Sequence, residues 1–372
     1  MKLKILPGRP VDAVLPEPSH IQFFEDGIPG FVEAALESLY ECHMTTILRF
    51  GQYYPLHCAR AYVCRVDGKI SAVIVFRQEG RSVMVYNEQI SIPPAELRRF
   101  AQAVFARYPQ TCHIALYAID AGAEILPYPY QRLSCLEDIS LALPESVSRY
   151  TDLLGKNVRY HLRRMSKKLG ASFPGVSREF RAGAEVEEGT IHRIIEFSGM
   201  RIGAKGQRSY HTAEEVRKTI EQVRRYGIVY LVTIDGALCA GVVMLRIGRT
   251  YSLHILAHDP HYDRYSLGTL CCYEAIAYAI SQGARRFNFG WGRFEYKQRL
   301  AGRTTDLFSI DVYRSTAALL GDMPAICRRA WRTGRRHLKM WSARPAEEGG
   351  VLSRQFRRAW GTARQLRARL ST

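Results

Sequence analysis

The sequence predicts an α/β (α+β) protein in which one α/β unit occurs twice. Three observations predict it. Asp67-Gly68 separates two apolar runs, 61–66 and 70–76, and Asp235-Gly236 separates a second such pair, 228–234 and 238–247. Asp-Gly between β-rich runs signals a hairpin, and here it does so once in each half. Around each hairpin the same order recurs, helix, hairpin, strand, helix, strand, a repeat of pattern rather than of identity. The third observation is the segment 251–289, which reads as strand, polar turn, glycine-opened helix and second strand, a single βαβ unit.

Taken in order, residues 1–30 look irregular and proline-marked, and a helical pattern covers 31–40. The first hairpin follows, then a short strand over 82–86. Pro93-Pro94 and Glu96 mark a helix start, and Leu97, Phe100, Val104 and Phe105 give it one apolar face through 108. Strands are expected over 112–117 and 135–143. The second half opens with helical sequence over 150–169, then helices near 189–199 and 212–226 before its hairpin. A strand over 251–257 leads through the turn 258–266 into a helix that closes at Gly283. Strands over 286–289 and 303–312 complete the unit.

Composition fits an ordinary globular protein, with 47% apolar and 24% charged residues. The formal charge of +18 is uneven, because residues 315–372 alone carry +10. The nine cysteines include no CxxC pair, and Cys271 and Cys272 lie side by side on a helix, as buried reduced thiols would. No window reaches eighteen apolar residues, and the N-terminus has no apolar signal core. A cytoplasmic protein without a membrane span is the expectation.

The glycine-opened helix is where a ligand is expected. Free N–H groups and the positive dipole end at a helix start suit a phosphate, and Gly268 lets the backbone come close. The comparable place in the first half holds Ile90-Ser91-Ile92-Pro93-Pro94, where the prolines remove donors. Chemistry is therefore expected in the second half, with the first in support.

Several runs resemble a known family. Tyr262-Asp263-Arg264-Tyr265-Ser266-Leu267-Gly268-Thr269, Arg286-Phe287-Asn288-Phe289-Gly290-Trp291-Gly292 and Tyr296-Lys297 resemble the signature of GNAT-like acyltransferases of the CelD/BcsL cellulose-biosynthesis type. That type resembles in turn the FemABX transferases, which carry two GNAT folds in tandem. The run Gly155-Lys156-Asn157-Val158-Arg159-Tyr160-His161-Leu162-Arg163-Arg164 matches the helix that opens their second half. The resemblance is good from 155 to 315 and holds for 1–144 only in fold pattern. It implies tandem GNAT-like domains, each a mixed, mostly antiparallel sheet flanked by helices. They would span 1–148 (degenerate) and 149–315 (catalytic), with a basic helical tail over 316–372.

It also implies acetyl-CoA, or another acyl-CoA, as co-substrate and no metal. The pyrophosphate would lie against Arg264, Tyr265, Ser266, Gly268 and Thr269. The pantetheine arm would lie along Ile255, Leu256 and Ala257, with Asn288 on the facing strand. Tyr296 would protonate the leaving thiolate and Lys297 would steady the oxyanion. Two departures stand out. Leu267 replaces the family's proline, and Asn288 replaces an acid on the second strand, so no carboxylate role carries over to position 288.

Each reading has a plainer one beside it. Ser266 would also serve as an ordinary N-cap, Tyr296 as packing, and Lys297 as a surface charge. Asp259 is the preferred general base among His254, His258, Asp259 and Glu295, with deprotonation by water as the alternative. His254 and His258, four apart on a strand, would share a face. With Asp259 and His261 they look superficially metal-like, but the spacing matches no known site. Lys156, Arg159 and Arg163 gather on one helical face, either as contacts to an anionic acceptor or as a solvated surface.

The tail holds Trp331, Trp341 and Trp360, and its stripe Leu352, Phe356, Trp360 and Ala363 runs among arginines. That pattern suits peripheral contact with an anionic membrane surface at the inner face of the cell membrane, or packing on the body. No recognised nucleic-acid motif accompanies the charge. The function expected is N-acyl transfer to an amine of an amino sugar or surface-polysaccharide precursor. The alternatives are a FemABX-like transferase using aminoacyl-tRNA and a non-catalytic GNAT scaffold in a polysaccharide-assembly complex.

Overall fold

A computed structural model describes residues 4–6, 20–122, 126–204, 212–292 and 294–342. The first half runs β1 (Lys4–Leu6), β2 (His20–Phe24), α1 (Gly30–Tyr40), α2 (Ile47–Tyr53), β3 (Ala59–Val66), β4 (Lys69–Glu79), β5 (Ser82–Val85), α3 (Pro94–Arg107), β6 (His113–Ile119) and β7 (Tyr130–Ala142). Helices α4 (Val147–Leu153) and α5 (Lys156–Ser172) connect it to the second half. That half runs β8 (Val176–Ala182), α6 (Glu188–Ala204), α7 (Ala213–Tyr226), β9 (Gly227–Ile234), β10 (Ala237–Ile247), β11 (Thr250–His258), α8 (Leu267–Ser281), β12 (Arg286–Asn288), α9 (Glu295–Arg299) and β13 (Arg303–Tyr313). Helices α10 (Thr316–Gly321) and α11 (Met323–Ser342) follow.

The duplication holds at the level of elements except for α9, which lies between β12 and β13 and has no counterpart between β6 and β7 among the described residues. The series β2-α1-α2-β3-β4-β5-α3-β6-β7 is matched by β8-α6-α7-β9-β10-β11-α8-β12-β13. Both Asp-Gly turns put Asp67 and Asp235 at positive φ (51° each), followed by a positive-φ glycine, as a tight hairpin requires.

The two units share one sheet. Its strand order is β2-β3-β4-β5-β6-β13-β7-β12-β11-β10-β9-β8, with β1 pairing β7. The halves therefore exchange their last strands. β13 pairs with β6 of the first half, while β7 lies between β13 and β12. This exchange carries residues of β7 into the surroundings of the second half's βαβ unit.

Three sequence expectations change. Residues 1–30, read as irregular, contain β1 and β2, and β2 pairs with β3 along its whole length. The helical stretch 150–169 is two helices broken at Leu154-Gly155, with Gly155 as the N-cap of α5. The edge strand β8, Val-Ser-Arg-Glu-Phe-Arg-Ala, gave no apolar signal because only one side of it meets the sheet. The tail stripe 352–363 lies outside the described residues.

Helix α8 packs on one face of the second half through Leu267, Leu270, Cys271, Cys272, Ala275, Ile276, Ala279 and Ile280. Buried on most of its circumference, it has no polar face to orient it. On the opposite face α6 sits close, because Gly241 in β10 leaves room for Ile194, which an added Cβ would meet at 2.4 Å. Gly241 is thus a packing requirement of the sheet beside the site.

Candidate active site

Strands β11 and β12 pair in parallel only through Thr250, Tyr251 and Ser252 with Arg286, Phe287 and Asn288. β12 ends there, and Gly290 turns the chain at φ 68°. From Leu253 to His258 the edge of β11 that faces β12 has no strand partner among the described residues, while its other edge stays paired with β10. The result is an open backbone slot. Its side chains Ile255, Leu256 and Ala257 are buried, so any ligand in the slot meets backbone rather than side chain.

The slot leads to the start of α8. A short 3-10 turn, Pro260–Tyr265, ends at Ser266, which adopts φ 52° and ψ 38°. A left-handed non-glycine residue costs about 1–2 kcal/mol. Ser266 does not cap the helix with its side chain; its Oγ meets His161 Nε2 of α5 at 3.2 Å. Ser266 is therefore the N-cap of α8 by position, without a side-chain cap. The amides of Thr269 and Leu270 donate to Ser266 O (3.0 and 3.1 Å), whereas those of Leu267 and Gly268 have no partner among the described residues. Two free donors at the positive end of a helix suit an anion. Leu267 has a donor that proline would lack, and its side chain is buried in the core.

Other predicted phosphate contacts divide. Arg264 is exposed over the ring of Tyr265 (5.0 Å), available to an anion. Tyr265 is buried against Phe173 and faces the core rather than the slot. Lys156, Arg159 and Arg163 share a face of α5, but the side chains that reach the α8 entrance are His161 and Lys168, seven apart, with Lys168 Nζ 3.5 Å from Arg264 O. At about 100° per residue the predicted trio lies on roughly the opposite side of the helix. Arg159 instead sits 3.6 Å from Asp152. The sequence signal missed here was the seven-residue spacing of His161 and Lys168.

Lys297 is not a surface charge. It is buried, and its Nζ donates to Gly290 O (3.1 Å) and Trp291 O (2.8 Å), fastening the glycine loop beside the slot. Gly302 permits the close turn after α9, since a Cβ there would meet Lys297 O at 2.7 Å. Burial lowers the Lys297 pKa to about 8, against the raising influence of Cys272 and Asp138. A lysine tuned toward neutrality is suited to proton transfer. Tyr296 is half-buried against the core beside α8, and burial pushes its phenol upward, so it keeps its proton.

Asn288 is tied on both sides. Its Nδ2 donates to Asp138 Oδ2 of β7 (3.0 Å), and its Oδ1 accepts from Gly290 N (2.6 Å). The acid missing at position 288 is thus met by a carboxylate on the exchanged strand. Asp138 Oδ1 is buried without a hydrogen-bond partner among the described residues. Burial raises the Asp138 pKa, opposed by Asn288, Arg286, the Ile139 amide and Lys297. A buried acceptor left unpaired costs about 1–3 kcal/mol. Sequence reading could not find Asp138, which lies 150 positions from Asn288.

The expected histidine face is corrected. A β-bulge between Val243 and Met244 shifts the β10–β11 register next to His254. His254 consequently meets His43 of the first half (6.2 Å between rings), while His258 meets the α8 side and binds Asp263 Oδ1 through Nε2 (2.8 Å). Burial, with His254 and Arg49, lowers the His43 pKa to about 3 and keeps it neutral. Asp259 caps the short turn, accepting from His261 N at 2.9 Å, and no hydrogen bond or ion pair joins it to Tyr296 or Lys297 among the described residues. No group of three His, Cys, Asp or Glu is placed to hold a metal among the described residues.

Comparison with known proteins bears on the fold. Residues 156–298 match the family profile of an acetyltransferase (GNAT) domain. The fold is similar to that of FemX, at TM-score 0.56 and 9% identity over 78% of this chain and 97% of that one. It is also similar to a conserved protein of unknown function from Bacteroides thetaiotaomicron VPI-5482, at TM-score 0.51 and 13% identity over 79% of this chain and 100% of that one. A tandem GNAT protein from the clavulanic acid biosynthesis pathway aligns at TM-score 0.42 and 12% identity, over 78% of this chain and 98% of that one. No curated protein matches. The chain has a GNAT-type acyltransferase fold. No helix among the described residues is long and apolar enough to cross a membrane.

Proposed function

We propose that this protein is an acyl-CoA-dependent N-acyltransferase whose donor is acetyl-CoA or another acyl-CoA. The observation that carries this is the open β11 edge, Leu253 to His258, running to the two free amides of Leu267 and Gly268. A linear thioester with amide groups along its arm and a pyrophosphate at its end matches both parts of the slot. His161, Lys168 and Arg264 add positive or hydrogen-bonding groups at the phosphate end.

Transfer is by direct attack of an amine on the thioester. Lys297, with a pKa near that of a thiol, fits the proton donor to the departing sulfur better than Tyr296, whose phenol burial holds well above it. Tyr296 then serves as a hydrogen-bond donor beside it. The acceptor reading, an amino sugar or related glycan precursor, rests on the family resemblance, and so does peripheral membrane contact through the basic tail.

Isothermal titration with acetyl-CoA tests the donor. Wild type is expected to bind, and Gly268→Glu to lose binding, because its carboxylate would occupy the two amides and repel the phosphates. A wild type that does not bind acetyl-CoA, or a variant that binds equally well, removes the reading.

A further inference from the structure

Resting on that reading, we propose that Asp138, brought into the second half by exchange of β7, is the catalytic base that takes the proton from the attacking amine.

Placement is the first argument. Asn288 on β12 pairs with Ser140 on β7, and Phe289 N donates to Ile139 O at 2.7 Å, so Asp138 lies opposite the Gly290 turn. Gly290 in turn approaches Leu253 O, 3.8 Å from its ideal Cβ, at the residue where the open edge of β11 begins. Asp138 therefore lies beside the Gly290 turn, two strand spacings, roughly 9.6 Å, from the open edge of β11.

Orientation is the second. Asn288 Nδ2 holds Oδ2 at 3.0 Å and leaves Oδ1 buried and unpaired, whereas native structures pair nearly all such atoms. A substrate N–H supplies the absent partner. Asn288 is the positioning residue, since its own Oδ1 accepts from Gly290 N and so registers the carboxylate to the loop that Lys297 fastens.

The surroundings suit a base. Arg286 and Asn288 face Asp138 from β12, Lys297 from α9 and Cys42 from the first half's 42–45 turn. Burial opposes ionisation and the cations favour it, which leaves a carboxylate more basic than in water.

The step balances. The amine lone pair forms the C–N bond to the thioester carbonyl carbon, and one N–H proton passes to Asp138 Oδ1. The C–S bond breaks with its electron pair on sulfur, and the thiolate takes a proton from Lys297. Solvent carries the proton from Asp138 back to Lys297, giving amide and free thiol.

The test compares wild type, Asp138→Asn and Asn288→Ala in thiol release from acetyl-CoA with glucosamine, ethanolamine and hydroxylamine, alongside acetyl-CoA titration and thermal melting. Asp138→Asn is expected to lose about 10²–10⁴-fold in kcat with its acetyl-CoA Kd within 2-fold of wild type. Its acid limb in the pH profile should vanish, and its melting temperature should not fall, because a buried unpaired carboxylate has been removed. Asn288→Ala should lose less, about tenfold. A kcat within 3-fold of wild type in Asp138→Asn, with acetyl-CoA binding intact, overturns the assignment of Asp138 alone. Absence of acetyl-CoA binding in the wild type overturns the function beneath it.

Discussion

The two halves carry the same element order, yet only one has a usable slot. In the second half β11 and β12 part after three paired residues, and a glycine-opened helix follows. In the first half the corresponding strands β5 and β6 also pair in parallel for three residues, but the gap beyond is closed by backbone. Gln89 N donates to Ala118 O (2.8 Å), Ile92 N to Asp120 O (2.9 Å) and Asp120 N to Ile90 O (2.9 Å). Helix α3 then begins at Pro93 and Pro94, where donors are absent. The same fold thus makes an open slot or a solid support, according to whether six residues of one strand edge are left unpaired among the described residues. The support is not passive. It gives the second half Asp138 through β7 and His43 through the 43–45 turn, and it braces β11 where Thr250 Oγ1 donates to Glu41 Oε2 at 2.9 Å.

The largest expected effect is on stoichiometry and binding. Titration should show one acetyl-CoA per chain, with affinity falling at least 100-fold in Gly268→Glu. A second site would break the contrast between the halves.

Next comes Lys297→Met, expected to lower kcat by about 10²–10³-fold. It also carries a pH signature. The folded pKa of about 8 lies below the ordinary lysine value of 10.5, so between those values the unfolded chain binds more protons than the native one. Stability from this group therefore rises with pH through that window. Denaturant melts from pH 7 to 10.5 should show wild type gaining on Lys297→Met. A flat difference would mean that the lysine is solvated and the loop differently held.

Gly302→Ala should destabilise by about 1–3 kcal/mol and slow turnover, since the added Cβ meets Lys297 O, Ile139 and Phe289 at 2.7 to 3.1 Å. Thermal melts alongside kcat separate the two effects. The smallest effects concern α5. His161→Ala and Lys168→Ala should weaken acetyl-CoA binding about 2- to 5-fold, while alanine at Lys156, Arg159 or Arg163 should change it less than 2-fold. The reverse ranking would turn α5 around and restore the predicted trio.

The hairpins, the βαβ unit and the glycine-opened start of α8 were legible because they depend on local chemistry. Asp-Gly, the apolar spacing of a helix and a glycine at a helix entrance act within a few residues of themselves. β2 and β8 were not legible, because an edge strand is half solvated and carries little apolar signal. Lys297 was singled out from its place beside Tyr296, but its burial and its hold on Gly290 and Trp291 follow from packing. The shared face assigned to His254 and His258 failed for a local reason of another kind. One bulge resets the alternation of a strand, and nothing in the residues around it announces that.

Local sequence was enough for the duplicated α/β unit, for the donor-poor proline start of α3 and for the glycine-opened start of α8, each a property of a short window of chain. Tertiary structure alone decided that the halves exchange their final strands, that Asp138 stands where position 288 has no acid, and that Lys297 is buried. Strand exchange and burial arise from contacts between residues far apart in the chain, and the free energy of such contacts leaves no periodic trace in the sequence.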